Sequence, residues 1–268
     1  EVLGIKGIDE YIRYGGTMSL SGVNYNEDAI FASARSAEEY IDTAIAKNIQ
    51  HSLKMYEYGG HFRSLLDLYE KGELTKVINR VVENINHSFT RRVVERTFKS
   101  HDIAVTASNL LRDREEQSIQ IEDYHMAQIE EYLTLLDLIM KIDLESLPEV
   151  NRKESVTVIT QPGMRYAQAN AIVSNLLLDA KFSELSLVER QRILDRLLSE
   201  IRGRMMEDIV LLETKIAHPE KKVFKLQFAV GEFDMVVFDP KELNCKIYEV
   251  KYSKEQVSEQ YRHITNKE

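Results

Sequence analysis

Three charged residues near the end of the chain have the types and spacing that metal-dependent hydrolysis requires. Asp234 lies in the β-rich run "FDMVVFD", and Glu249 and Lys251 lie two residues apart in "CKIYEVKY". Side chains two apart on a strand point to the same face of a sheet, so Glu249 and Lys251 are predicted to project together. The turn-forming stretch "DPKELN" between the two runs predicts an antiparallel pair that brings Asp234 beside Glu249.

Such a set would support chemistry on a phosphate. Two carboxylates held close together repel each other, and the pKa of one of them rises unless a cation intervenes. A hard divalent cation such as Mg²⁺ or Mn²⁺ takes oxygen ligands of this kind and retains waters for chemistry. Lys251 would then position an attacking water or stabilise charge that develops on the phosphate. The alternative is a surface pair of Glu249 and Lys251, with Asp234 at an exposed strand end.

Helices and strands near the C-terminal end must position these three residues. A helical period runs through residues 186–215, and another helix is predicted from Lys254 onward. Between them lie three β-runs, at 222–230, 233–239 and 245–252. The predicted order is therefore helix, three strands and helix.

The rest of the chain predicts mainly helices. Helical spacing of apolar residues covers 36–58, 74–98 and 121–142. The short β-run "SVTVIT" interrupts this pattern, is stopped by the turn signal "QPG", and is followed by a return of helical spacing.

The C-terminal order, with its Asp–x14–Glu–x–Lys set, resembles the PD-(D/E)XK nuclease superfamily. The resemblance implies that Asp234 and Glu249 bind metal and that Lys251 is the catalytic lysine. It offers Glu207, in "GRMMED", as the acidic metal-site residue of the first helix, and Gln260, in "EQYRH", as a peripheral glutamine. Two features depart from the superfamily pattern: no proline precedes Asp234, and the final strand is missing.

A second resemblance extends over most of residues 5–263. "IDEYIRYGGT", "AEEYIDTAIAKNIQHSL" and "VTVITQPGMRYAQA" resemble segments of a family of prokaryotic AAA-type ATPases that end in a nuclease-like domain. The resemblance implies the C-terminal part of a longer ATP-binding protein, trimmed at both ends. The chain contains no GxxxxGK[ST] phosphate loop, so ATPase activity is expected only in the full-length parent and no ATP site in this chain.

We therefore predict an α+β fold class, in which a mostly helical body, winged-helix-like in part, precedes a truncated PD-(D/E)XK nuclease-like domain. The predicted domains are a helical segment after the absent ATPase core at 1–72, a helical, winged-helix-like module at 73–152, and the nuclease-like domain at 153–268.

The amino-acid composition limits the cellular location and the kinds of partner that we expect. The one cysteine, Cys245, excludes a disulfide framework and fits a reducing, cytoplasmic location. No apolar run approaches the roughly 18 residues of a membrane span, so no membrane partner is expected. The net charge of −9 does not favour nucleic acid, so any such contact needs a local patch.

The most basic local segment runs from Arg80 to Arg114 and contains seven basic and four acidic residues. Four of the basic residues form a weak candidate for nucleic-acid binding: Arg91, Arg92, Arg96 and Lys99. The simpler reading is a solvated helical face.

Two functions remain open at this stage. The first is metal-dependent phosphodiester hydrolysis of DNA by the nuclease-like domain. The second is a catalytically inactive nuclease-like scaffold, which acts as a protein-interaction or ATPase-regulatory module with other protein subunits as partners. Residues 219–262 hold eight basic and eight acidic residues, a balance that counts against strong autonomous DNA binding.

Overall fold

The computed structural model describes residues 7–14, 62–82, 84–85, 123–147, 154–177, 180–228 and 231–253. These residues form two compact units. The described residues within 1–140 and 159–201 belong to unit 1. Those within 141–158 and 202–268 belong to unit 2. Several helices and a five-stranded mixed sheet confirm the α+β class. The nuclease-like and winged-helix-like descriptions stay predictions.

The described helices are α1 (Ile8–Tyr14), α2 (Arg63–Glu70), α3 (Asp123–Leu135), α4 (Pro162–Leu177), α5 (Ala180–Ser183) and α6 (Leu187–Ala217), and residues 74–82 are also helical. The strands are β1 (Ile139–Leu147), β2 (Glu154–Ile159), β3 (Lys222–Phe228), β4 (Gly231–Asp239) and β5 (Asn244–Tyr248). Within the described part of the chain, no helix combines the length and apolar character that crossing a bilayer requires.

Unit 1 has an apolar core formed by α2, the helical residues 74–82 and α3. Its members recur at helical spacing, as the sequence predicts for 74–82, and the ring of Phe62 meets that of Tyr132 edge to face at 5.5 Å between centroids. Apolar burial of this kind stabilises a fold roughly in proportion to the area removed from water. Fully or almost fully buried members include Phe62, Leu65, Leu74, Val77, Ile78, Val81, Val82, Ile129 and Leu133.

The single helix predicted over 121–142 is wrong after Leu135, where α3 ends, and β1 begins at Ile139. The backbone N–H of Leu138 donates to the carbonyl of Leu133 at 2.9 Å, and that of Asp137 donates to Thr134 at 3.0 Å. These two bonds form a Schellman motif, which closes a helix with one left-handed residue. Here that residue is Asp137, with φ of 54°, so the glycine that usually marks such an end is missing from the sequence.

The sheet has the strand order β2-β1-β3-β4-β5. Strands β1 and β3 are parallel, whereas β3–β4 and β4–β5 are antiparallel. The three predicted C-terminal runs therefore do form three consecutive strands, and the predicted "SVTVIT" run forms β2. The "QPG" signal after β2 also holds, because Pro162 is the first residue of α4, where its missing N–H costs nothing.

Helix α6 begins at a capping box that the sequence encodes in "SLVE". The hydroxyl of Ser186 accepts from the backbone N–H of Glu189 at 3.3 Å, and Glu189 Oε2 accepts from the backbone N–H of Ser186 at 3.2 Å. This reciprocal pair satisfies donors that a helix start leaves open. The helix then runs for 31 residues and confirms the helix predicted over 186–215.

Strand β4 carries a β-bulge beside its first buried residue. Phe224 of β3 pairs with Val236, but Leu226 pairs with Phe233, so Lys225 faces two residues of β4, Asp234 and Met235. From Asp234 to Val237 every side chain is buried, which breaks the alternation of a regular strand. Bulges re-aim side chains, and this one lies at the acid that the sequence analysis selected.

Candidate active site

The turn between β4 and β5 is closed by Asp239. Its Oδ1 accepts hydrogen bonds from the backbone N–H groups of Lys241 at 2.9 Å and Glu242 at 3.2 Å. These bonds, that from Lys241 first, hold the pKa of Asp239 below its ordinary value. The strands then pair antiparallel with Met235 opposite Tyr248, so the hairpin predicted from "DPKELN" is confirmed.

Strand β5 ends at Tyr248, before the two residues that the sequence analysis placed on it. The backbone N–H of Val250 donates to Asp234 Oδ2 at 2.8 Å, so a side chain of β4 rather than its backbone accepts this hydrogen bond. The strand alternation invoked for Glu249 and Lys251 is therefore wrong. Their side chains nevertheless meet, because the chain after β5 is held against Asp234.

Lys251 contacts both predicted carboxylates. Its Nζ lies 2.8 Å from Glu249 Oε2 and 3.7 Å from Asp234 Oδ2. The two acidic side chains are each only 7% exposed, whereas that of Lys251 is 34% exposed. Asp234 is buried, so its predicted place at an exposed strand end in the alternative is wrong. Its carboxylate and that of the half-buried Glu249 share one partly exposed ammonium.

The electrostatics of the three groups are coupled. Burial raises the pKa of Glu249, repulsion from Asp234 adds to the rise, and the ammonium of Lys251 opposes it. Burial alone would lower the pKa of Lys251, but the hydrogen bond to Glu249 and the charge of Asp234 outweigh burial and raise it. Lys251 is therefore an ammonium throughout the neutral range.

Glu207, the predicted acid of the first helix, lies on α6 and is buried. Burial is the main cause that raises its pKa to about 7, and repulsion from Asp234 contributes in the same direction. The positive charge of Arg204 opposes the rise, followed by that of Lys225. Glu207 and Asp234 therefore influence each other electrostatically, as the predicted site requires.

Arg204 is a site residue that sequence reasoning missed. Its Nη1 donates to Glu207 Oε2 at 3.0 Å and to Glu232 Oε1 at 3.2 Å. A spacing of three residues on a helix places Arg204 and Glu207 as neighbours, and this spacing was the signal available in the sequence. Glu232 lies two residues before Asp234 on β4, which no local pattern connects with the helix.

A second buried ion pair lies beside the first, and it too was missed. Lys225 Nζ is 3.3 Å from Asp208 Oδ1, and the two side chains are only 12% and 10% exposed. Lys225 interrupts the β-run "KVFKLQF", so a charge inside an apolar strand was the available signal. The same kind of signal drew attention to Asp234.

The site as a whole carries an excess of negative charge. Five carboxylates stand against three basic groups, which leaves two negative charges when all the groups are ionised. The acids are Glu207, Asp208, Glu232, Asp234 and Glu249, and the bases are Arg204, Lys225 and Lys251. This residual charge equals that of one divalent cation in magnitude.

The donor set fits a cation that needs few protein ligands. Over the described residues, no group of three or more His, Cys, Asp or Glu has the arrangement of a metal site. Asp234 and Glu249 nevertheless offer two carboxylates next to each other. Mg²⁺ binds through one or two carboxylates and completes its shell with waters and substrate phosphate. A Mg²⁺ or Mn²⁺ site at this pair, with Glu207 as a further ligand, stays a prediction.

The remaining predicted residues lie outside the described part of the chain. These are Gln260 and the basic set Arg91, Arg92, Arg96 and Lys99. Their roles stay predictions. Cys245, by contrast, is described, and it is exposed on β5.

Comparison with protein-family models, with curated proteins and with solved structures finds no match to this chain.

Proposed function

We propose that unit 2 catalyses metal-dependent hydrolysis of phosphodiester bonds in DNA, as the nuclease-like domain of a longer AAA-type ATP-binding protein. The observation that supports the proposal is the contact of Lys251 with two carboxylates, those of the buried Asp234 and the half-buried Glu249. Perturbed acids next to a basic group are frequent at catalytic sites. The surrounding network also contains more carboxylates than basic groups, which favours a bound cation.

Asp234 and Glu249 would hold the cation, with Glu207 of α6 as a further ligand. When bound, Mg²⁺ or Mn²⁺ supplies Lewis-acid polarisation of the phosphate and activation of water. The bulge at Asp234 and the hydrogen bond from Val250 fix the carboxylate of Asp234 in place. Such fixed groups need no reorganisation when charge develops in the transition state.

Lys251 acts as a hydrogen-bond donor in this proposal. Its pKa lies above the ordinary lysine value, so it holds its proton at neutral pH and does not accept one from water. It stabilises negative charge on the phosphate oxygens and orients the attacking water. Before that it must release Glu249, because one carboxylate oxygen cannot serve the ammonium and a cation equally well.

The test is cleavage of labelled DNA by the 268-residue chain with Mg²⁺ or Mn²⁺. Asp234→Asn and Lys251→Met each lower the rate by about 100-fold or more, the scale of losing one charge-stabilising group. Lys222→Gln is the control, since Lys222 pairs with Glu145 on the surface of unit 2 and leaves the site intact. Cleavage that survives either site substitution contradicts the proposal.

Mn²⁺ affinity separates the roles of the two residues. Asp234→Asn removes a ligand and weakens Mn²⁺ binding. Lys251→Met strengthens it, because the ammonium and the cation compete for the same two carboxylates. Weaker binding after Lys251→Met would show that the lysine does not occupy the position of the cation.

The second candidate function is an interaction scaffold, and β5 is the observation that favours it. All five residues of β5 are exposed, and it forms the last strand of the described sheet. Leu243, Ile247 and Tyr248 expose apolar surface there. An open strand edge can pair with a strand of another protein subunit. Absence of Mn²⁺ binding at millimolar concentration would favour this function over hydrolysis.

A further inference from the structure

Arg204 joins two elements on either side of the candidate site. One nitrogen, Nη1, donates to Glu207 on α6 and to Glu232 on β4. The side chains of Arg204 and Glu207 are 13% and 11% exposed, so the bond between them forms in a largely water-excluded setting, whereas the side chain of Glu232 is 41% exposed. In the water-excluded setting the bond to Glu207 is stronger than on a surface, and a missing partner costs more.

The geometry of the guanidinium suits this bridging task. It is planar and always charged, and the two N–H groups of Nη1 form a fixed fork in its plane, whereas a lysine ammonium rotates freely on its stem. The bond to Glu207 spans one helical turn, and the bond to Glu232 reaches the strand that carries Asp234 two residues later. The carboxylate of Glu207 is thereby held relative to the strand of Asp234.

We propose that Arg204 is a positioning residue of the metal site, which holds the Glu207 carboxylate at a set place opposite Asp234 through its second bond to Glu232. The inference rests on the proposed function, because it assigns a role within the same site. Groups that orient metal ligands in this way typically change metal affinity or activity by about 10–100-fold when they are removed.

The test uses the 268-residue chain and two measurements that do not depend on DNA cleavage. The first is the ¹³C resonance of the Glu207 side-chain carboxyl, assigned by its loss in Glu207→Gln. The second is Mn²⁺ affinity, measured by electron paramagnetic resonance. The variants are Arg204→Gln, the conservative Arg204→Lys, Glu232→Gln and the surface control Lys222→Gln.

We expect Arg204→Gln to shift the Glu207 resonance and to weaken Mn²⁺ binding by about 10-fold or more. Arg204→Lys retains the charge without the fork, so it recovers part of the affinity. Lys222→Gln leaves both measurements at the wild-type values. Glu232→Gln removes the anchor on β4 and shifts the same resonance by a smaller amount.

Three outcomes would overturn the inference. An unmoved Glu207 resonance in Arg204→Gln means that Arg204 does not hold the carboxylate. A moved resonance with unchanged Mn²⁺ affinity means that the bond serves stability alone. A wild-type chain that binds no Mn²⁺ overturns the metal site itself, and with it this role of Arg204; a chain that binds Mn²⁺ without cutting DNA overturns only the proposed reaction.

Discussion

The interiors of the two units are built from different chemistry. Unit 1 is organised around a continuous apolar cluster contributed by α2, the helical residues 74–82 and α3. Unit 2 also buries apolar side chains, but it contains the buried acids of the described chain, Glu207, Asp208 and Asp234. Apolar contacts are non-directional and tolerate small shifts, whereas buried charges require particular partners at particular distances. Unit 1 buries the basic residues Arg165 and His125 beside its apolar cluster, whereas the buried acids of the described residues lie in unit 2 and need specific cationic partners.

The largest expected effect lies in the apolar interior and compares two leucines of α3. Leu133 is 1% exposed and Leu135 is 63% exposed. Leu133→Ala is expected to lower the free energy of unfolding by about 2–5 kcal/mol, because it leaves a cavity in the core. Leu135→Ala removes the same atoms from an exposed position and changes it by less than about 0.5 kcal/mol. Urea denaturation followed by circular dichroism measures both, and equal effects would refute the burial difference.

The second effect concerns pH and the charged interior. The pKa of Glu207 is about 7 in the folded state against 4.5 for an ordinary glutamate, so the folded protein binds the proton more tightly. Its contribution to stability is full below pH 4.5 and is lost as the pH rises through 7. Between pH 5 and pH 8 the wild type should lose about 2–3 kcal/mol relative to Glu207→Gln.

Urea denaturation at the two pH values checks this difference. Glu242→Gln, which replaces an exposed acid of the β4–β5 turn, is the control and keeps the wild-type dependence. A wild type whose stability rises between pH 5 and pH 8 relative to Glu207→Gln would reverse the sign and contradict the buried position of Glu207.

The smallest effect concerns the buried pair of Lys225 and Asp208. Lys225→Met leaves the Asp208 carboxylate without this partner and should cost about 1–3 kcal/mol in the free energy of unfolding. Adding Asp208→Asn removes the uncompensated charge, so the double variant should cost less than the sum of the two single variants. Lys222→Met, at an exposed ion pair, should cost less than about 1 kcal/mol. Additive effects of the buried pair would mean that the two groups do not interact.

Sequence pattern predicted those parts of the molecule that depend on local chemistry. Helix α6, the strands β2 to β5 and the turn at Asp239 follow from periodicity and turn residues. The end of α3 could not be predicted in the same way. Asp137 adopts a left-handed conformation that sequence statistics associate with glycine, so the apolar period runs on into β1 without a visible stop.

Some residues of the candidate site could be predicted from the sequence, and others could be found only in the folded structure. Asp234, Glu249 and Lys251 could be selected from the sequence because they are charged residues within β-rich runs. Glu207 was selected through the resemblance to the nuclease superfamily. Their neighbours Arg204, Glu232 and Lys225 gained importance only when a helix and two strands came together. A one-residue bulge and the early end of β5 were equally invisible, since both result from pairing between strands.

The sequence by itself determined the α+β composition, the main C-terminal elements and the acids and lysine that carry the proposed chemistry, because these depend on residues near one another in the chain. The tertiary structure decided which charges are buried, which cation neutralises which acid, and that Glu207 has a pKa of about 7. The physical reason is that desolvation and Coulomb interactions depend on distances between side chains far apart in sequence, and only the folded chain sets those distances.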